Sequence, residues 1–202
     1  MKQRREGLSF PPFCRAYRDS FSKWLYRLGK VNRSERRGAH ENGVVLERKL
    51  ELVLALLMPE NALVARVMLS TGLRVGDVLE LTPEQIKPSV TVQERKTGKK
   101  RRVHIPPMLC EEVLRRSGNI WAFPSPKDPM KHRTRQAVWA DIKRAQKACR
   151  FTANLGTHSM RKAYAVRLMH RYGDLERVQK ALQHDRPEVT MLYALADKLT
   201  AG

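Results

Sequence analysis

One β-type segment interrupts a long series of helical patterns, and it constrains the fold more than any other feature of the chain. Val90 and Val92, and later Val103 and Ile105, alternate with other residues on either side of the sequence KTGKK. A period of two around a glycine-containing turn predicts an antiparallel β-hairpin. We therefore expect a mainly α fold with one small β-hairpin, of the α+β class.

The apolar residues of the remaining chain from Val44 onward recur mostly at helical spacing. Pro59 closes the first of these helical patterns, and Gly72 is a candidate C-cap for the second. The predicted helices are 46–58, 61–71, a short helix after Arg74, 107–117, 133–150, 159–172, 174–183 and a last short helix that holds Tyr193.

A basic N-terminal arm precedes this helical region. Aromatic and leucine side chains recur at helical spacing between Phe13 and Leu28, which predicts one amphipathic helix over about 13–28. Residues 30–43 are polar and rich in breakers, as in a linker. We expect residues 1–43 to form the arm and linker, and residues 44–202 to form one domain. The arm's helix either packs on that domain or contacts DNA.

The charge of the chain predicts a polyanionic partner. Its 202 residues include 40 Lys and Arg against 20 Asp and Glu, a formal net charge of +20. Such an excess is typical of nucleic-acid binding, with a solvated surface as the plain alternative. No apolar run is long enough to span a membrane, and the three cysteines predict neither disulfides nor a metal site. We expect a cytoplasmic, nucleoid-associated protein without a cofactor.

Two segments concentrate this charge. Residues 87–102 and 131–150 each carry seven basic residues and one acidic residue. A basic hairpin and a helix with a basic outer face and an apolar inner face, including Ala137, both suit contacts with phosphates. The candidate DNA-binding residues are Lys99, Lys100, Arg101, Arg102, Arg133 and Arg135.

His158 and Arg161 lie at the start of a predicted helix, in GTHSMRKAYAVRLM. Thr157 or Ser159 can cap this helix, and residues three apart share a face. The free N–H groups of the first turn favour a bound phosphate. An H-x-x-R pattern alone is also common in surface or core roles.

Arg74 and Lys96 are two further candidate cations. Arg74 lies in a turn between two predicted helices, where we expect Asp77 to hold its guanidinium; a purely structural ion pair is the alternative. Lys96 lies at the hairpin turn, where a basic residue also suits nonspecific phosphate contacts.

Tyr193 follows His184 in LQHDRPEVTMLYALA, where Pro187 should begin a fresh helix. By itself, Tyr193 could equally be a core aromatic with a hydrogen-bonded hydroxyl. Taken with the cations above, it suggests a nucleophile beside a phosphate.

These residues together suit phosphodiester transfer by a protein hydroxyl, which needs a nucleophile, cations at the non-bridging oxygens and proton transfer at both ends. Tyr193 would attack the phosphate. His158 would accept the proton of Tyr193 or support that proton transfer. Arg74 and Arg161 would hold the phosphate oxygens with help from His184, and Lys96 would protonate the leaving 5′-oxygen. No carboxylate cluster for a metal and no phosphate-binding loop for ATP is apparent.

Four segments resemble, in order, the boxes of the tyrosine recombinase or phage integrase family, over about residues 44–195. TGLRVGDVLELT resembles the first arginine box, ERKTGKK the catalytic hairpin and HSMRK the H-x-x-R box. His184 and Tyr193 stand at the family's spacing for the second histidine and the nucleophile. The resemblance implies the fold of the family's catalytic domain, with Arg74, Lys96, His158, Arg161, His184 and Tyr193 as the catalytic set and Asp77 in support.

The resemblance also implies a covalent 3′-phosphotyrosyl DNA intermediate, a free 5′-hydroxyl and strand exchange through a Holliday junction. The implied partners are double-stranded DNA, further copies of the chain in a tetramer and an accessory DNA-bending or directionality protein. The sequence differs from the family pattern in places. Its N-terminal part is short, as in small inversion-type members or a truncated enzyme, and Gln183 replaces the usual glycine before the second histidine. The alternatives are a type IB topoisomerase, a silent DNA-binding regulator on the same fold and, less well supported, an RNA-binding module.

Overall fold

The structure, a computed structural model, describes residues 50–151 and 155–182. A helical segment over 50–56 comes first, and a 3₁₀ turn, Pro83–Gln85, lies between the second helix and the first strand. The other elements are α1 (Pro59–Thr71), α2 (Val75–Leu79), β1 (Ser89–Gln93), β2 (Lys100–His104), α3 (Pro107–Leu114), α4 (Arg135–Ala148), α5 (Thr157–Tyr172) and α6 (Leu175–Leu182). The expected mainly α fold with one hairpin is confirmed. The predicted N-terminal helix and linker, and the predicted last helix with Tyr193, lie outside the described residues.

The hairpin has the predicted pairing. β1 and β2 are antiparallel, with Val90 opposite Val103 and Val92 opposite Arg101. The side chains of both strands alternate between exposed and buried, and the valines face the interior. Gly98 adopts φ 67° in the turn, a conformation that glycine takes without steric cost. The hairpin therefore packs one face on the helices and leaves the other to solvent.

Helix α1 forms the centre of the described structure. It contacts α2, α3, α4, α5 and β2, and nearly all of its side chains are buried. A helix that is buried on nearly every face requires such surroundings. Pro59 occupies its first turn, where the missing N–H is harmless, and Gly72 ends it with φ 66°. The predicted C-cap role of Gly72 is confirmed.

Helix α4 packs against the beginning of α1. The Thr134 side chain accepts a hydrogen bond from the Ala137 N–H at 3.1 Å and so caps the helix. Asp141 is buried and accepts a hydrogen bond of 2.7 Å from the side-chain amide of Asn61. Val138 is buried as expected, but Ala137 is exposed, which corrects its predicted inward position. Ala137 lies in the first turn of α4, on the exposed side of the helix, unlike the buried Val138.

Helices α5 and α6 are in contact through apolar side chains, with Ala165 of α5 in one buried cluster with Val178 and Leu182 of α6. The α5 N-cap is Gly156, which corrects the expectation that Thr157 or Ser159 caps this helix. Ser159 assists from the third helical position, because its hydroxyl accepts a hydrogen bond of 3.1 Å from the Gly156 N–H.

Candidate active site

Three guanidinium groups converge on one fully buried carboxylate, that of Glu94, just after β1. Arg74 Nη1 donates to Glu94 Oε2 in a salt bridge. Arg161 Nη1 lies 3.7 Å from Glu94 Oε1, and Arg101 Nε lies 3.9 Å from the same oxygen. Three positive groups facing one negative group leave the cluster with a net positive charge. Such a cluster is suited to attract a further anion.

Arg74 is the most accessible of the three arginines. It is the N-cap residue of α2, in an extended conformation with φ −73° and ψ 152°, and it directly follows the left-handed end of α1. Its side chain retains 23% exposure, compared with 5% for Arg161 and 7% for Arg101. An anion arriving from solvent would therefore meet Arg74 before the two buried groups.

Arg161 links the ends of two helices. Its Nη1 donates to the carbonyl oxygen of Gly72 at 2.5 Å, and its Nη2 donates to the carbonyl oxygen of Leu182. The last carbonyls of a helix lack intrahelical partners and lie at the negative end of the helix dipole, so they favour cations. These bonds fix the Arg161 guanidinium between the ends of α1 and α6.

Arg101 makes a parallel connection. Its Nη2 donates to the Thr71 carbonyl oxygen at 2.6 Å, and its Nη1 donates to the Ala181 carbonyl oxygen. Burial lowers the pKa of this guanidinium, whereas the charge of Glu94 opposes that change. The Arg101 side chain is buried and faces the core, so this residue, expected from the sequence to contact DNA, is not part of the exposed basic surface.

Asp77 does not hold Arg74 as expected, because Arg74 pairs with Glu94. Asp77 Oδ1 instead accepts a hydrogen bond of 3.1 Å from the backbone N–H of Arg95. The Arg95 side chain forms a salt bridge with Glu80. Both contacts tie the base of the hairpin turn to α2, and so they fix the backbone on which Lys96 stands.

The remaining candidates divide into described and undescribed residues. Lys96 is exposed in the hairpin turn, two residues after Glu94, and His158 is exposed in the first turn of α5, three residues before Arg161. The structure therefore brings Arg74 and Arg161 together and places Lys96 and His158 on segments that flank them. His184 and Tyr193 lie outside the described residues.

Among the other candidate DNA-binding residues, Lys99, Lys100, Arg102 and Arg135 are exposed. Arg133 is not: its side chain is buried, and its Nη2 lies 3.9 Å from Glu60 of α1. Arg133, which was also expected to contact DNA, therefore faces the interior and, like Arg101, is not part of the exposed basic surface.

Glu94 is the residue that the sequence reasoning missed. A single glutamate in a basic segment suggests a solvated side chain, but the alternation of the hairpin carries a different signal. Glu94 lies an even number of residues from the buried Val90 and Val92, and so it points to the same face of the hairpin. Arg101 lies two residues from the buried Val103 and shares its face in the same way. Extending the period of two by one step on each strand predicts an inward-facing Glu–Arg pair.

Within residues 50–151 and 155–182, no helix is long and apolar enough to cross a lipid bilayer. In the same part of the chain, no group of three or more His, Cys, Asp or Glu side chains is arranged to hold a metal ion.

Comparison with solved structures defines the fold class. The chain is similar to the XerH site-specific recombinase in its post-cleavage complex with palindromic difH substrate, with a TM-score of 0.63 and 22% identity, over 84% of this chain and 54% of that one. It is also similar to the catalytic domain of bacteriophage HP1 integrase, with a TM-score of 0.54 and 24% identity, over 73% of this chain and 84% of that one. The fold is that of the tyrosine recombinase catalytic domain.

Comparison of sequences defines the family. The model described as the phage integrase family matches residues 50–199, and the chain therefore belongs to that family. The integrase of Escherichia phage P2 is 31% identical over 155 residues, which are 76% of this chain and 43% of the phage protein. The chain thus spans less than half the length of that relative.

Proposed function

We propose that this chain is a site-specific DNA recombinase that breaks and rejoins strands with Tyr193 as its nucleophile. The observation that carries the proposal is the convergence of Arg74 and Arg161 on the Glu94 carboxylate, beside an exposed basic hairpin turn. Two guanidiniums held together inside a cationic cluster match the non-bridging oxygens of one phosphodiester. Related proteins support the assignment, since they include an integrase and a recombinase captured with its DNA substrate.

In the proposed reaction, the Tyr193 phenol oxygen forms a bond to phosphorus while the bond to the leaving 5′-oxygen breaks. The product is a 3′-phosphotyrosyl linkage and a free 5′-hydroxyl, so no phosphodiester energy is lost to hydrolysis. His158 takes the phenolic proton or supports its transfer, and Lys96 protonates the 5′-oxygen. Attack by a 5′-hydroxyl of another strand reverses these steps and exchanges the strands.

The cationic cluster supplies the electrostatic part of this mechanism. Charge develops on the non-bridging oxygens in the transition state, and positioned cations in a partly buried site stabilise it strongly. Arg74 reaches the phosphate from the solvent side, Arg161 lies behind it, and His184 donates a further hydrogen bond. Protein cations balance this charge, and the phosphotyrosyl bond replaces the broken phosphodiester bond without hydrolysis. We therefore propose that neither a metal nor ATP takes part.

The partners follow from the same proposal. The exposed cations Lys99, Lys100, Arg102 and Arg135 grip the backbone of double-stranded DNA. We propose that residues 44–202 form the catalytic domain, that residues 1–43 form a basic arm, and that the active assembly is a tetramer on two DNA sites. The further proposed partner is an accessory protein that bends DNA or sets the direction of recombination.

The test is capture of a covalent adduct from a pool of nicked duplexes that contain a randomised segment. After incubation in EDTA without ATP, the mixture is denatured, and protein-bound DNA is isolated and sequenced. The wild-type protein should retain a DNA fragment enriched for one sequence, and Tyr193→Phe should retain none. Tyr172→Phe, which alters an exposed tyrosine of α5, should behave as the wild type.

Each alternative predicts a different result. Adducts without strand exchange, together with relaxation of supercoiled DNA, would indicate the type IB topoisomerase. Tight DNA binding without any adduct would indicate the silent regulator. An adduct that persists in Tyr193→Phe would contradict the nucleophile assignment.

A further inference from the structure

Glu94 lies among the arginines of the candidate site, but the proposed reaction gives it no role. Its side chain is completely buried, although it belongs to a hairpin whose turn is exposed. A buried carboxylate carries a large desolvation cost unless cations and hydrogen bonds compensate it. Here the compensation comes from the two arginines assigned to the phosphate and from Arg101.

The charges explain why a carboxylate is needed at this point. Arg74, Arg101 and Arg161 all approach the same position, and like charges repel strongly away from water. One carboxylate among them offsets this repulsion and leaves a net positive charge for the DNA phosphate. A neutral side chain of the same shape would leave three cations facing one another.

The two oxygens of Glu94 have different tasks. Oε2 accepts a hydrogen bond from Arg74 and also lies 3.4 Å from the Thr97 hydroxyl of the turn. Oε1 accepts no hydrogen bond within the described part of the chain, and it faces Arg161 and Arg101 at 3.7 and 3.9 Å. Oε2 therefore orients Arg74, whereas Oε1 attracts the other two guanidiniums by charge.

We propose that Glu94 is a positioning residue of the DNA-cleavage reaction, whose buried carboxylate orients the Arg74 and Arg161 guanidiniums toward a single phosphate. The proposal rests on the function proposed above and adds a residue to it. Glu94 touches neither DNA nor the reacting atoms and acts only through the two arginines.

The first experiment needs no DNA and so is independent of the recombinase assignment. The solvent exchange of the guanidinium Nε–H protons is measured by ¹⁵N NMR in the full chain, in the wild type and in Glu94→Gln. We expect the exchange at Arg74 and Arg161 to accelerate by about tenfold or more in the variant, because the restraining charge is lost. Exposed Arg102 serves as the internal reference. Unchanged exchange at both arginines would overturn the proposal, whatever the protein does to DNA.

The second experiment uses the nicked duplex recovered from wild-type adducts. Glu94→Gln should lower the maximal rate of adduct formation by about 100-fold, as misplacement of catalytic groups does, while the half-saturating DNA concentration stays within about threefold of the wild-type value. Glu84→Gln, which removes the same charge from an exposed glutamate, should change neither quantity. A wild-type rate in Glu94→Gln would overturn the proposal. The absence of adducts in the wild type would count against the recombinase function instead, and the exchange experiment would then decide.

A substrate analogue separates positioning from a general loss of folded protein. A methylphosphonate at the scissile position lacks one charged oxygen and thus depends less on two aligned guanidiniums. The rate deficit of Glu94→Gln should shrink by about tenfold or more on this substrate if Glu94 acts through the arginines. Equal deficits on both substrates would indicate a structural role only. If Glu94→Gln does not fold, Glu94→Asp, which keeps the charge but shortens its reach, is measured by the same criteria.

Discussion

Arg161 donates a hydrogen bond of 2.5 Å to the carbonyl oxygen of Gly72, so a candidate catalytic arginine is anchored on the residue that ends α1. The position of Gly72 therefore matters for the site as well as for the helix. Its φ of 66° favours glycine, and the ring of Tyr164 lies directly over the place where a Cβ atom would stand.

Gly72→Ala should destabilise the protein for two reasons. A left-handed conformation costs a non-glycine residue about 1–2 kcal/mol, and the new methyl group would overlap the ring of Tyr164. The matched control is Gly98→Ala, which has φ 67° but open space around the added atom, so it should show the conformational cost alone. Unfolding in urea measures both variants. Equal losses in the two variants would contradict the proposed close packing.

Tyr164 should make the stability of the protein depend on alkaline pH. Burial raises the pKa of this phenol above its ordinary value near 10, and the charges of Arg101 and Arg161 only partly oppose this. A pKa that is raised in the folded state gives stability that is complete below the unfolded pKa and is lost as the pH rises through the folded pKa. The urea midpoint of the wild type should therefore fall more steeply above about pH 10 than that of Tyr164→Phe. Similar profiles for the two proteins would refute this explanation.

Arg101 and Arg102 are adjacent in sequence, but their substitution should change the stability of the protein by very different amounts. Arg101→Ala removes donors from the buried carbonyl of Thr71 and the part-buried carbonyl of Ala181, which should cost about 2 kcal/mol or more of unfolding free energy. Arg102→Ala alters an exposed side chain and should change stability by less than about 0.5 kcal/mol. Thermal or urea unfolding distinguishes them. A stable Arg101→Ala protein would show that the link between α1 and α6 is dispensable.

The salt dependence of DNA binding tests the exposed basic surface. If Arg102 and Arg135 each neutralise one phosphate, each alanine variant should reduce the slope of log K against log salt by about 1. Arg115→Ala, which removes an exposed arginine outside the candidate set, should leave the slope unchanged. Binding titrations at several salt concentrations give these slopes. An effect of equal size at Arg115 would argue against a localised DNA face.

Local sequence patterns predicted the elements of the described fold well. The valines of the hairpin, Pro59 and Gly72 each determine a local feature by their own sterics or periodicity, and the structure shows each one as expected. Helix ends were less accurate, as at Gly156, because capping depends on the backbone conformation of single residues.

The contacts between candidate residues could not be predicted in the same way. Asp77 was expected to hold Arg74 because they are near in sequence, but the actual partner, Glu94, is brought there by the packing of the hairpin on α2. The inward direction of Arg101 was likewise hidden by the charge of its neighbours. Only the period of two along the strands indicated that the Arg101 side chain points inward. For a charged residue, such an inward position is convincing when a buried partner of opposite charge is available.

The most direct test of the account is to identify the amino acid that carries the DNA. Adducts trapped on a nicked duplex are digested with nuclease and trypsin, and the modified peptide is sequenced by mass spectrometry. The account predicts a nucleotide on the phenol of Tyr193, within the tryptic peptide 181–198. A nucleotide attached to any other residue, such as the exposed Tyr172 or a serine, would contradict it.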